Sequence, residues 1–180
     1  AKLLFAQICY ALILQKKNGT FVLKIFDCFM NHSIDILYIL SSFYEKVYIS
    51  KPNTSRYANS EKYIICKGFL YESSESYYPF IYRAFEKMIT PTKEVTNICR
   101  FLSVPVSNLF ITKLEEYNAI FGQQQVENIY QTIMLIDNKH NQEKIDLLIR
   151  NNIQKCIQWC TRFQIPYNVF LPQTNETIFK

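Results

Sequence analysis

Apolar residues change their period along this chain, and the changes mark out its elements. Residues 2–16 are apolar nearly all round, as in a helix packed on a sheet, and Asn18-Gly19 ends the run. Residues 20–27 (TFVLKIFD) open on a stretch that is apolar on both faces and rich in β-branched and aromatic side chains, which predicts a central strand. Ser33 is placed to cap a helix over 34–43. Residues 46–50 (KVYIS) predict a second strand, and 61–69 (EKYIICKGF) a third. Between them lies a polar loop, 51–60 (KPNTSRYANS). This order reads as the second half of an α/β sheet. The last two strands have no helix between them, which predicts antiparallel pairing.

After Tyr71 the periodicity turns helical. The turn-rich stretch ESSESYYP predicts a boundary between a domain at 1–70 and a helical extension at 71–180. Helices are expected near 79–89 and 93–102, punctuated by Pro91 and Pro105, and over 107–117. Residues 122–137 place Val126, Ile129, Tyr130 and Ile133 on one face. Residues 141–164 do the same with Ile145, Leu148, Ile149, Ile153, Cys156, Ile157 and Cys160, and Pro166 stops that helix. The chain opens on Ala1, with no capping residue ahead of the first helix. Either it is a piece of a longer polypeptide or upstream residues were removed.

Composition narrows the classes. Of 180 residues, 49% are hydrophobic and 19% charged, which excludes a disordered chain. The glycines are Gly19, Gly68 and Gly122, too far apart for a glycine-rich phosphate or dinucleotide loop. The formal charge of +5 lies wholly in residues 1–70, which hold nine Lys and Arg against four Asp and Glu; the remainder is balanced at eleven of each. Such a basic half suits an anionic partner such as RNA, though a solvated lysine-rich face has the same composition. Of six cysteines, Cys156 and Cys160 are four apart and could share a metal, but with only His32 and His140 elsewhere core packing is the better reading, and no metal is expected. Reduced thiols fit the cytosol or nucleus. No secretory signal stands at the start, and no run reaches the roughly 18 apolar residues of a membrane span.

Two residues could carry chemistry. Lys24 lies inside an apolar strand, where burying an ammonium is costly unless it is paired. Burial and nearby carboxylates pull a lysine in opposite directions, and one balanced between them can take a proton from a hydroxyl. Glu61, after the polar loop, could orient Lys24 or bind a ribose hydroxyl. Lys51 and Arg56 could contact phosphates, with Asn53, Ser55, Asn59 and Ser60 as hydrogen-bond partners. Asp27 follows Lys24 by three residues. Each also has a plain structural reading: a snorkelling lysine, a solvated strand-start glutamate, a turn aspartate. Tyr77, Tyr78 and Trp159 could stack on a base or simply fill a core.

FVLKIFDCF followed by KPNTSRYANSEKYIICKG resembles the FtsJ/RrmJ-type ribose 2′-O-methyltransferases, in particular their mRNA cap-1 branch, including versions in large cytoplasmic DNA viruses. That branch carries a K-x-F-D-x-F strand end, matched by Lys24, Phe26, Asp27 and Phe29. It also carries a K-P-x-T-S-R-x-A-N-S-E-x-Y-x-x-C-K-G segment, matched by residues from Lys51 to Gly68. The resemblance covers roughly residues 1–70. It implies a Rossmann-like, S-adenosylmethionine-dependent fold with a terminal antiparallel strand. It also implies an active site of the Lys-Asp-Lys-Glu type, in which Lys24 deprotonates the ribose 2′-hydroxyl and Glu61 positions it. Asp27, Lys51, Asn53, Ser55, Arg56, Asn59 and Ser60 are then the candidates for contact with RNA or its cap.

The family's first lysine, glycine-rich donor loop and tetrad aspartate lie upstream of the strand matched here. The cofactor-binding residues are therefore expected upstream of the chain, and the 180 residues alone are expected to transfer no methyl group. The expected partner is capped RNA, with a further protein partner open for the helical extension, no membrane, and a cytoplasmic setting (a viral factory or virion if the source is viral). A non-catalytic RNA-binding or assembly subunit and a methyltransferase of ribosomal or transfer RNA are the alternatives.

Overall fold

The computed structural model describes residues 2–90 and 98–168 and has an α/β architecture. Its elements are α1 (Lys2–Leu14), β1 (Thr20–Ile25), α2 (Asn31–Phe43), β2 (Tyr44–Ser50), β3 (Lys62–Phe69), α3 (Tyr78–Ile89), α4 (Asn108–Asp137) and α5 (Gln142–Arg162). The chain forms two compact units, residues 1–129 and 130–180.

In the first unit the strands lie in the order β1-β3-β2, and β3 runs antiparallel to both neighbours. The last strand in sequence is thus the middle one in space. Antiparallel pairing of β2 and β3 follows the sequence reading, and among the described residues β1 lies at an edge of this three-stranded sheet, where a central strand was expected. Its burial alternates: Leu23 and Ile25 point into the core, while Thr20, Val22 and Lys24 are exposed. On β3, Lys62, Ile64 and Cys66 are buried in turn. The core gathers on this one face, where Phe5, Ile8, Cys9 and Leu12 of α1 and Ile36, Leu37 and Leu40 of α2 meet Leu23, Ile64, Cys66 and Phe69. Burying each large side chain there contributes about 2 kcal/mol. The opposite face keeps Val22 and Tyr48 about half exposed.

Ser33 does not cap α2. The helix begins two residues earlier, the Met30 cap position makes no side-chain bond, and Ser33 is buried within the first turn. The aspartate two residues on matters more. Asp35 is 1% exposed and receives both guanidinium branches of Arg100, Nε at 2.9 Å and Nη2 at 3.0 Å. It also accepts the backbone N–H groups of Phe101 and Leu102. Burial works to raise its carboxyl, but these donors outweigh it and hold it below the usual aspartate value. Residues 98–102, expected to be helical, are irregular, and the N–H groups of Phe101 and Leu102 turn toward Asp35. The rest of that expected helix, 93–97, lies outside the described residues. Phe101 stacks on Phe5 at 4.2 Å, tying the segment to α1.

Tyr77 is a packing residue. Its ring meets Phe43 and Tyr71 edge-on, and its hydroxyl donates to the Leu12 carbonyl at 2.6 Å. Gly68, next to last in β3, has φ +72°, a region that costs a side-chain-bearing residue about 1–2 kcal/mol. Gly68→Ala is expected to lower unfolding stability by that amount in a denaturant titration.

The two helices expected at 107–117 and 122–137 are one, α4. No proline interrupts them, and Gly122 is tolerated within a helix at a cost of about 1 kcal/mol. In the second unit α5 is capped by Asn141, whose side chain accepts the Lys144 N–H. None of its residues is buried. Trp159 packs on Phe163 with centroids 5.0 Å apart. Among the described residues no group of three His, Cys, Asp or Glu could hold a metal, and no helix is long and apolar enough to cross a membrane.

Candidate active site

The β1–β3 register decides which side chains meet. Lys24 lies directly opposite Tyr63, so both project from the open face of the sheet. Glu61 precedes Tyr63 by two residues, and the period of an extended chain puts it on the same side. Lys24 Nζ stands 3.3 Å from Glu61 Oε2. The Tyr63 hydroxyl donates to Glu61 Oε1 at 2.7 Å. The Phe26 ring lies under the ammonium, 5.4 Å from Nζ to its centroid. The expected Lys24–Glu61 pair therefore exists, but Lys24 is not buried. Its side chain is 49% exposed, because it sits on an edge strand and faces away from both core helices, whereas that of Glu61 is 21% exposed.

The polar loop is built to present Glu61. Lys51 Nζ donates to the Asn59 carbonyl at 2.8 Å, to Asn59 Oδ1 at 3.1 Å and to the Glu61 carbonyl at 2.8 Å. Asn59 Oδ1 also accepts the Glu61 N–H at 3.2 Å. The glutamate is thus held by its N–H, its carbonyl and both carboxylate oxygens. Tyr63 first, then Lys24 and Lys51, keep its carboxyl below the usual range against a smaller opposing effect of burial. The bond to Glu61 in turn raises the Tyr63 phenol. Burial, helped by nearby Lys62, lowers the Lys51 ammonium, while Glu61 opposes the shift.

The other candidates surround this centre. Asp27 is exposed and lines a cleft of about 430 Å³ with Lys24, Phe26, Cys28, His32 and Ser33 at the end of β1. Cys28 is buried, and its thiol is pushed up to about 11 by burial, so it is no nucleophile. Asn53 and Arg56 are exposed, and Asn59 and Ser60 are half-buried. Ser55 Oγ is enclosed and has no hydrogen-bond partner. Phe29 and Met30, which follow β1 in sequence, are 65% and 66% exposed. The sequence reading did not single out Tyr63 as a partner of Glu61. The alternation Glu61-x-Tyr63 at the head of a strand was the available signal.

Residues 1–69 match the profile of the FtsJ-like methyltransferases. Three curated relatives place the likeness more finely. Cap-specific mRNA (nucleoside-2′-O-)-methyltransferase 2 of Mus musculus is 30% identical over 152 residues, covering 84% of this chain and 19% of the relative. Cap-specific mRNA (nucleoside-2′-O-)-methyltransferase 1 of Trypanosoma brucei brucei is 25% identical over 144 residues, 80% of this chain and 39% of the relative. The mouse protein with the second of these names is 45% identical over 67 residues, 37% of this chain and 8% of its own length. The chain thus spans well under half of the length of each. Over residues 1–69 the chain is therefore similar to the FtsJ-like methyltransferases.

Proposed function

We propose that the chain is part of an RNA ribose 2′-O-methyltransferase that acts on mRNA caps with S-adenosylmethionine as methyl donor, and that residues 1–70 are the C-terminal half of its Rossmann-like domain. The observation that carries this reading is the 3.3 Å approach of Lys24 Nζ to Glu61 Oε2 on an open, basic half of the molecule. The relatives named for cap methylation carry the choice of RNA.

The described residues fit the acceptor side of such a reaction. Lys24 Nζ is the proton acceptor for a ribose 2′-hydroxyl, and Glu61 holds the amine in place. Exposure of Lys24 leaves the hydroxyl room to approach. Phe26 offers an exposed aromatic ring beside it for a base, and Arg56 lies in the loop that would meet phosphates. The donor, when bound, supplies an electrophilic methyl group. The described residues show no cradle for it: Gly19 and Gly68 lie at the opposite end of β1 and β3 from Lys24. No step is therefore assigned through the donor site.

The test is methyl transfer from labelled S-adenosylmethionine to cap-0 RNA and to the same RNA uncapped, using the complete gene product. Transfer that depends on the cap is the expected result. Equal transfer to both would point to another RNA class. RNA binding without transfer to either would leave a binding or assembly subunit.

A further inference from the structure

We propose that Tyr63 is a positioning residue of this site, whose hydroxyl fixes the Glu61 carboxylate so that its other oxygen faces Lys24 Nζ. The inference rests on the methyltransferase reading and deepens it. Three observations carry it. First, the carboxylate oxygens have separate partners: Tyr63 holds Oε1 at 2.7 Å, and Lys24 stands 3.3 Å from Oε2. Second, the latter distance exceeds the roughly 2.7–2.9 Å of a tight charge-assisted bond. The carboxylate is thus held back from closing on the lysine, and Nζ keeps a direction free for a hydroxyl. Third, the placement follows from backbone geometry. Tyr63 is the cross-strand partner of Lys24, and Glu61 lies two residues away on the same face.

Without the phenol hydroxyl, nothing else in the described site bonds Oε1. The carboxylate is then free to rotate and close on Lys24 as an ordinary ion pair, tying up the amine that should accept the proton. Lys51 and Asn59 would still pin the backbone of Glu61, so the loop should persist. Tyr63→Phe keeps the ring and removes only the bond.

Two measurements test this. In the 180-residue chain, the Glu61 carboxyl carbon is followed by NMR as pH falls. Its midpoint should rise in Tyr63→Phe, because the hydrogen bond that most lowers this carboxyl is lost. In the complete gene product, Tyr63→Phe should lower kcat about 5-fold and leave the KM for RNA unchanged. Combined with Glu61→Gln it should cost nothing more than Glu61→Gln alone. An unmoved Glu61 titration, a loss confined to KM, or full additivity in the double variant would overturn the role of Tyr63 alone. Undiminished transfer by Lys24→Ala would overturn the methyltransferase reading, and this proposal with it.

Discussion

Methyl transfer by the complete gene product is expected to fall at least about 100-fold in Lys24→Ala, with RNA affinity reduced only slightly. Removing a positioned general base costs on this scale, and among the described residues Lys24 Nζ is the amine that Glu61 positions for the role. Glu61 is tied to Tyr63 and Lys24, Cys28 is buried with its thiol raised, and Lys51 has three oxygen acceptors for its three N–H groups. Lys24→Arg should be nearly as inactive, because a guanidinium stays protonated and cannot accept the proton. That variant separates proton transfer from mere positive charge. Neither change should alter unfolding by more than about 0.5 kcal/mol, since Lys24 is half exposed on an edge strand. Activity retained in Lys24→Arg would show that the site needs only a cation.

The second large effect concerns stability. Arg100→Ala is expected to cost about 3 kcal/mol in denaturant unfolding, because it strands a carboxylate that is 1% exposed inside the first unit. Removing both partners in Asp35→Ala/Arg100→Ala should cost less than removing the arginine alone, since no buried charge is then left without its ion-pair partner. The pair also sets an acid limit. Asp35 is depressed in the folded state, so its contribution is complete above the ordinary value of 3.8 and fades as pH falls through the lower native value. Wild type should lose stability on acidification in that window, and the double variant should lose less. Equal acid sensitivity in the two would show that other carboxylates set the limit.

Element order and the Lys24–Glu61 pair were legible because both are local signals, a change of period and a spaced motif. The burial of Lys24 was not. TFVLKI reads as apolar on both sides whether or not each side is covered, and Val22 is apolar yet exposed. Residues 98–102 read as helix because nothing near them in sequence shows that Asp35, 65 or more residues earlier, takes the Arg100 guanidinium and the N–H groups of Phe101 and Leu102. Residues 107–117 and 122–137 read as two helices because the residues between them carry no clear apolar period, yet the turns run on unbroken as α4. At the site, Lys51 and Asn59 were visible as polar candidates, but their roles in holding Glu61 depend on loop geometry. The part played by Tyr63 depends on register, which fixes its partner across the sheet.

The middle position of β3 also governs when the site comes into being. Among the described residues β1 and β2 flank it without pairing to each other, so neither of these ladders can form before β3 is made. Only when Lys62–Phe69 arrives do both close, and the same event carries Glu61 and Tyr63 to Lys24. Closing these ladders and assembling the cluster are one step, so a nascent chain halted before β3 holds the lysine without the glutamate and tyrosine that aim it.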